Sequence, residues 1–446
     1  MSPSNKSTVG LDMVTFEMGR HMSNIIMGLS LRALAFSSAL CGWRLSEYSM
    51  AANPVGGTVA QGIASFSSSG SQLTINQTSA NAYINWQSFN IGAGETTTFL
   101  QPSSTSLVWN QINDPNPSQI LGNLNANGYV VLQNSSGFVI GGQAAITAHG
   151  LVMTTASSPA PTLSGGGAWE FDAPPPTAKI FNFGQINITG GGSAFLLASD
   201  IENDGIISAP AGNIGLYAGE KVLISSVPDG RGLSAVVTLP QGSVDNNGKL
   251  IADAGSIMAQ AQTVNQNGLV QANSVQEVNG TIELLASDSV NLGASSVISA
   301  KGDNTGVSAG GSVTIKSADN FADQAGSVID ISGGAQGGNG GQVEISAPQM
   351  SVINSSINGQ AVSGFISGEL SIDPLNIVLG TVDGSASDPN SPYSGTVASS
   401  DPPASGTLYL NVNDFSSTLS QINLSAIDNI SLNTLWYACT YSISTK

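Results

Sequence analysis

The chain has 446 residues, 11 basic and 29 acidic, and a formal net charge of −18, which excludes nucleic acid as a partner because phosphate binding needs a basic patch. A hydrophobic content of 41% excludes wholesale disorder. Two cysteines and two histidines exclude zinc modules, disulfide scaffolds and most thiol or imidazole catalysis, so neither a cofactor nor a metal site is expected.

Residues 1–52 stand apart in composition. They hold Lys6, Arg20, Arg32 and Arg44, six of the nine methionines, and an uncharged, apolar-rich run from Ala33 to Trp43, followed by the small residues Ser49, Ala51 and Ala52. A basic start, a short apolar centre and a small-residue exit predict a leader containing a secretory signal peptide; a poorly packed N-terminal helix is the other reading. The run is too short to span a bilayer, which takes about 20 apolar residues, so no stable membrane insertion is expected. Any of Met13, Met18, Met22 and Met27 could be the true start.

Two segments follow that are dense in turn residues and short apolar runs: Ile84-Asn-Trp-Gln-Ser-Phe-Asn-Ile-Gly92, and Asn116-Pro-Ser-Gln-Ile-Leu-Gly-Asn-Leu124 leading into Asn127-Gly-Tyr-Val. From Gly192 onward the chain repeats itself. Alternating runs begin at Gly192, Gly212, Gly255, Gly280, Gly311 and Gly341; a second series at Gly205, Gly248, Gly268, Ser296 and Ser327 interleaves with it. Period-2 alternation makes each run a strand with one buried face, and the glycines and Asn-Gly or Asp-Gly pairs mark turns. Strands recurring every 20–30 residues without helical periodicity predict a solenoid. The economical construction is an all-β, right-handed parallel β-helix; an antiparallel sandwich array is the alternative. A coil stack also accounts for the scarcity of charge. Residues stack on residues about 4.8 Å apart, and a column of like charges repels itself, whereas an uncharged polar ladder does not. Ile201, Ile206, Ile214, Leu216, Ile257, Ile282, Leu284, Val313, Ile315, Val343 and Ile345 are the expected core. Gly302–Gly311 and Gly333–Gly341 are read as external loops rather than calcium repeats, because Asp303 has no matching successor.

Residues 373–406 are rich in Pro, Asp, Ser and Gly and predict an irregular insertion or linker. Strand-like runs resume at Thr407–Val412 and Ile422–Leu432, and Tyr437–Lys446 abandons the pattern, which suggests a chain cut short or altered in frame near Trp436.

The block from Asn53 to about residue 165 resembles the N-terminal secretion, or haemagglutination-activity, domain of filamentous haemagglutinin-like exoproteins of two-partner secretion systems. Asn116-Pro-Ser-Gln-Ile-Leu-Gly followed by Asn127-Gly-Tyr-Val carries the resemblance most specifically. One departure stands out: Asn134-Ser-Ser-Gly137 replaces the family's Asn-Pro-Asn-Gly turn, losing the preset φ of Pro while Gly137 keeps a left-handed position open. The resemblance implies a β-helix with N-terminal capping strands and an extra-helical hairpin, at residues 53–165, continued by repeats at 166–372 and short strands at 407–446. It implies recognition in the periplasm by an outer-membrane barrel transporter, with Asn116, Pro117, Gln119, Gly122, Asn134 and Gly137 as recognition residues. It implies an adhesin-like protein secreted to, or displayed on, the surface of a Gram-negative bacterium. Host or neighbouring-cell glycans or proteins are further partners it leaves open.

Two other readings compete. β-Helices also serve polysaccharide lyases and glycosidases, whose chemistry needs paired carboxylates. Asp200, Glu202 and Asp204 alternate on one strand face, and Asp319 and Asp323 form a weaker pair. Solvent-facing acids at strand ends are the plainer account, Arg231 is the only arginine after the leader, and His149 sits in an apolar strand and turn as a structural residue. A non-enzymatic protein is therefore expected. The third reading is a non-functional, truncated remnant of a larger exoprotein.

Overall fold

A computed structural model describes residues 53–156, 169–172, 175, 177–219, 221–226, 233–237, 240–350, 352–380, 406–411, 418–432 and 441–445. The leader, Arg231, Trp436 and most of the Pro-rich stretch lie outside these residues. Among the described residues every regular element is a strand, 38 in all. They wind as a parallel β-helix with three columns of strands around one core. One full coil runs from Leu107–Ile112 in the first column, through Ser118–Ile120 in the second and Asn123–Ala126 in the third, to Tyr129–Asn134 directly against Leu107–Ile112.

The register explains why these residues form these strands. In the third column Leu124, Ile146, Ile186, Ile207, Leu250, Val270, Ile298, Ile329 and Ile357 stand opposite one another from coil to coil, and all are buried. Each such side chain taken from water contributes about 1.5–3 kcal/mol. Ten of the eleven residues expected in the core are buried. Ile206 is the exception: it is half-buried on the outer face and Ile207 points inward. An apolar doublet after a glycine leaves the period-2 phase open, and the ladder through Ile186 and Leu250 sets it.

The solenoid is closed at its start by two antiparallel strands. Thr58–Gln61 pairs with Asn81–Trp86 and Ala64–Ser69 with Gln72–Gln77, and the Phe66 ring meets Trp86 edge-on at 5.4 Å over the first coil. Three coil-to-coil steps are long, the last of them from Leu370 to Ile422, 52 positions on. Leu151 pairs with Ala194 and Asn213 with Ser256, each 43 positions on, and there the chain leaves the coil to build a separate antiparallel sheet of Trp169–Asp172, Lys221–Ser226 and Leu233–Val237. This sheet covers a second core on the outer face of the first column, where Trp109 stacks on Phe171 at 5.7 Å and Phe195 meets Tyr217 edge-on.

Toward the end of the chain two expectations change. The strand Asn376–Gly380, with Ile377 and Leu379 buried, occupies the start of the stretch expected to be irregular. Tyr441–Thr445, within the segment expected to abandon the pattern, pairs in parallel with Leu419–Ala426. Backbone pairing to the preceding coil places it, and its residue types alone do not.

Candidate functional site

The segments singled out in the sequence, Asn116–Gly122 and Asn134–Gly137, meet at one corner between the first and second columns. Asn134 ends the strand Tyr129–Asn134 and is fully buried. Its Nδ2 donates to the Asn116 carbonyl at 3.2 Å and to Ser118 Oγ at 2.9 Å, while its Oδ1 accepts the Ser136 N–H at 2.9 Å. The Gly137 N–H closes a turn onto the Asn134 carbonyl at 3.0 Å, and the Gly137 carbonyl accepts the Ser118 N–H at 3.0 Å. Gly137 has φ +105°, and a Cβ there would stand 2.6 Å from the Lys179 carbonyl. The missing proline therefore does not open the turn: the Asn134 amide and a glycine in left-handed space hold it.

The other residues of the segment occupy distinct positions. Asn116 is exposed, and its side chain reaches only Asp114 Oδ1, at 3.1 Å. Pro117 is half-buried at the head of the strand Ser118–Ile120. The Gln119 backbone N–H donates to Asn90 Oδ1 at 2.8 Å, tying the corner to the coil before it. Gly122 is buried where a Cβ would lie 2.3 Å from both the Gly92 and Glu95 carbonyls.

A second polar knot lies across the coil, where the Asn127-Gly-Tyr motif meets two glutamines, Gln77 and Gln101, not singled out in the sequence. Buried Gln101 accepts the Gly128 N–H on its Oε1 and donates from Nε2 to the Ser106 and Tyr129 carbonyls, while Asn127 exchanges two 2.8 Å bonds with the Gln101 backbone. Gln77 below it donates to the Ser79, Ala80 and Leu107 carbonyls. Glutamines at strand ends read as surface residues; their spacing by one coil is the signal that identifies them.

The acids of the enzymatic reading take up separate contacts. Asp200, Glu202 and Asp204 do share an outer face, but Asp200 is held by Lys179 at 3.1 Å and by the Ser243 N–H, and Asp204 accepts from Asn247. Burial, then the charges of Asp204 and Asp245, raise the Glu202 carboxyl above its ordinary range, with Lys179 opposing. Asp319 and Asp323 separate: Asp319 is exposed, while Asp323 is buried and accepts the Asn354 and Ser355 N–H groups and the Ser355 hydroxyl. His149 packs edge-on against Tyr129 at 5.3 Å.

Comparison with known proteins meets this geometry. Residues 51–232 match the model of the TPS secretion domain, TPS standing for two-partner secretion. A heme/hemopexin-binding protein of Haemophilus influenzae (strain ATCC 51907 / DSM 11121 / KW20 / Rd) is 30% identical over 249 residues, 53% of this chain and 27% of that protein. A second heme/hemopexin-binding protein of Haemophilus influenzae is 42% identical over 84 residues, 19% of this chain and 9% of its own length. The chain thus spans about a quarter or less of these relatives. The crystal structure of the HMW1 secretion domain from Haemophilus influenzae superimposes with a TM-score of 0.66 at 24% identity, covering 88% of this chain and 100% of that one, a likeness of fold.

Proposed function

We propose, for a chain whose residues 51–232 match the TPS secretion domain model, that it is an exoprotein exported across the outer membrane of a Gram-negative cell by a dedicated barrel transporter. The leader at 1–52 delivers it to the periplasm, and the segments around Asn116–Gly122 and Asn134–Gly137 are what the transporter reads. The observation that carries this reading is their convergence: one buried amide, Asn134, joins the turn at Gly137 to the Asn116 carbonyl and the Ser118 hydroxyl. Coil-by-coil folding outside the cell then supplies direction, since each coil completes the hydrogen bonds of the one before. The exported body is adhesin-like and non-enzymatic, a reading supported by the partners of two of its outer acids, Asp200 on Lys179 and Ser243 and Asp204 on Asn247. The haem chemistry in the relatives' names belongs to much longer polypeptides.

The test is co-expression with a cognate barrel and measurement of the chain in the medium against the periplasm. Asn116→Ala, Asn134→Ala and Gly137→Ala are expected to hold the chain in the periplasm, Asn116→Ala without changing the melting temperature of the purified protein. Undiminished release of all three variants sinks the proposal.

A further inference from the structure

The outer face of the second column, between Lys179–Asn182 and Thr281–Leu292, is a ruled surface. One row runs Phe181, Glu202, Asp245, Asn265 from coil to coil, in register. Beside it, Asn247 Nδ2 donates to Asp204 Oδ1 at 2.8 Å and Asn267 Nδ2 to Asn247 Oδ1 at 2.9 Å. In the first row Asn265 Nδ2 donates to Asp245 Oδ1 and Asn291 Nδ2 to Asn265 Oδ1. An amide has two N–H donors and two acceptor lone pairs; Asn247 and Asn265, on successive coils, each use one of each in the ladders, which leaves one donor and one lone pair on each for solvent, while Glu202, Asp204 and Asp245 offer acceptors alone. These recur about every 4.8 Å along the stack. At one end of the rows Phe181 and Phe183 lie parallel, 6.3 Å apart, and Phe183 is 38% exposed.

We infer that this face binds a linear polysaccharide of uncharged sugar units, lying along the coil axis. A pyranose ring has an apolar C–H face that covers an exposed aromatic ring, whose face is electron-rich. Its vicinal hydroxyls are each donor and acceptor, matching the repeated amide positions, and a few placed polar groups beside an apolar platform fix orientation. Glu202, Asp204 and Asp245 give the face a negative field that disfavours polyuronates and sulfated chains. The inference is independent of the export reading, because it concerns the folded chain alone.

The experiment is affinity electrophoresis of the purified full chain through native gels containing galactomannan, glucomannan or hydroxyethylcellulose, with polygalacturonate as the acidic counterpart. Retardation is expected in at least one uncharged gel and not in polygalacturonate. Phe183→Ala should restore at least 90% of the mobility seen in a blank gel, and Asn247→Ala at least half, while both variants melt within a few degrees of the parent. Unretarded migration in every uncharged gel overturns the inference. So does retardation that survives Phe183→Ala, or retardation by polygalacturonate as strong as by the neutral chains.

Discussion

Asn134 serves three partners with one side chain, and all of them are backbone or hydroxyl groups that its loss leaves without that bond. Replacing it with Ala removes the donors to the Asn116 carbonyl and Ser118 Oγ and the acceptor for the Ser136 N–H. Leaving buried polar groups unsatisfied costs about 1–3 kcal/mol, and urea unfolding of the purified protein should show a loss of that size; a change below about 0.5 kcal/mol contradicts the geometry. Gly137→Ala carries two penalties, the left-handed backbone and a Cβ pressed against the Lys179 carbonyl. Gly70, at φ +56° with open space around its Cβ, carries only the first. Gly137→Ala should therefore destabilise more than Gly70→Ala, and equal midpoints in urea would refute it. The left-handed turn at Gly137 is legible from the residue types, because few others tolerate it. The inward side of the Ile206–Ile207 doublet is not, because two adjacent apolar residues fit either phase and only the neighbouring coils decide.

Single elements carry forces that no one residue shows. The strand Asp200–Asn203 turns Ile201 and Asn203 inward and Asp200 and Glu202 outward, beneath Asp245 on the next coil. Burial first, and then Asp204 and Asp245, raise the Glu202 carboxyl. A carboxyl raised in the folded state favours folding while protonated and loses that contribution as pH rises through its folded value. At neutral pH the raised Glu202 carboxyl thus works against the fold, so Glu202→Gln should raise the melting temperature at pH 7. The gain should vanish below about pH 4, where an ordinary glutamate is itself protonated. Thermal melts from pH 3.5 to 8 check this, and a gain independent of pH contradicts it. The extra-helical sheet offers a second test. Phe171 is 1% exposed and stacks on Trp109, so Phe171→Ala should cost about 3–5 kcal/mol, measured by urea unfolding; a cost under about 1 kcal/mol means the sheet does not seal that core. The second 43-residue step is visible in the sequence as the spacing from Gly212 to Gly255. Only the pairing of Trp169–Asp172 with Lys221–Ser226 shows that both excursions build one sheet.

Across the whole solenoid, uncharged polar ladders replace charge, and one of them runs through the interior. Asn182 Nδ2 donates to Asn203 Oδ1, Asn203 Nδ2 to Asn246 Oδ1, and Asn246 Nδ2 to Gln266 Oε1, each at 2.7 Å, with all four residues 3% exposed or less. The coil before presents Ile140 at this position and the coil after presents Leu292. A slip by one coil would set an amide against an isoleucine, so the ladder fixes register as the coils assemble. Its sequence signal is the recurrence of Asn182-Phe-Gly, Asn203-Asp-Gly, Asn246-Asn-Gly and Gln266-Asn-Gly. Asparagine before a turn reads as a surface residue because that is its usual place, so the glycines mark the turns while the inward amides stay hidden until the columns are stacked. Along the same turns a Cβ on Gly205, Gly248 or Gly268 would lie 2.1 Å from a carbonyl of the preceding coil, which is why glycine recurs there. The ladder should behave as a unit. Asn203→Leu strands the Asn182 donor and the Asn246 acceptor and should cost about 1–3 kcal/mol. Removing partners together costs less than the sum of removing each alone, since no side-chain amide of the ladder is left facing an apolar neighbour. The combined variant N182L/N203L/N246L/Q266L should therefore lose at least about 2 kcal/mol less than the sum of its four single variants in urea unfolding. Additivity within about 0.5 kcal/mol is what independent sites give, and finding it would mean that each amide acts alone and register is set by the apolar columns.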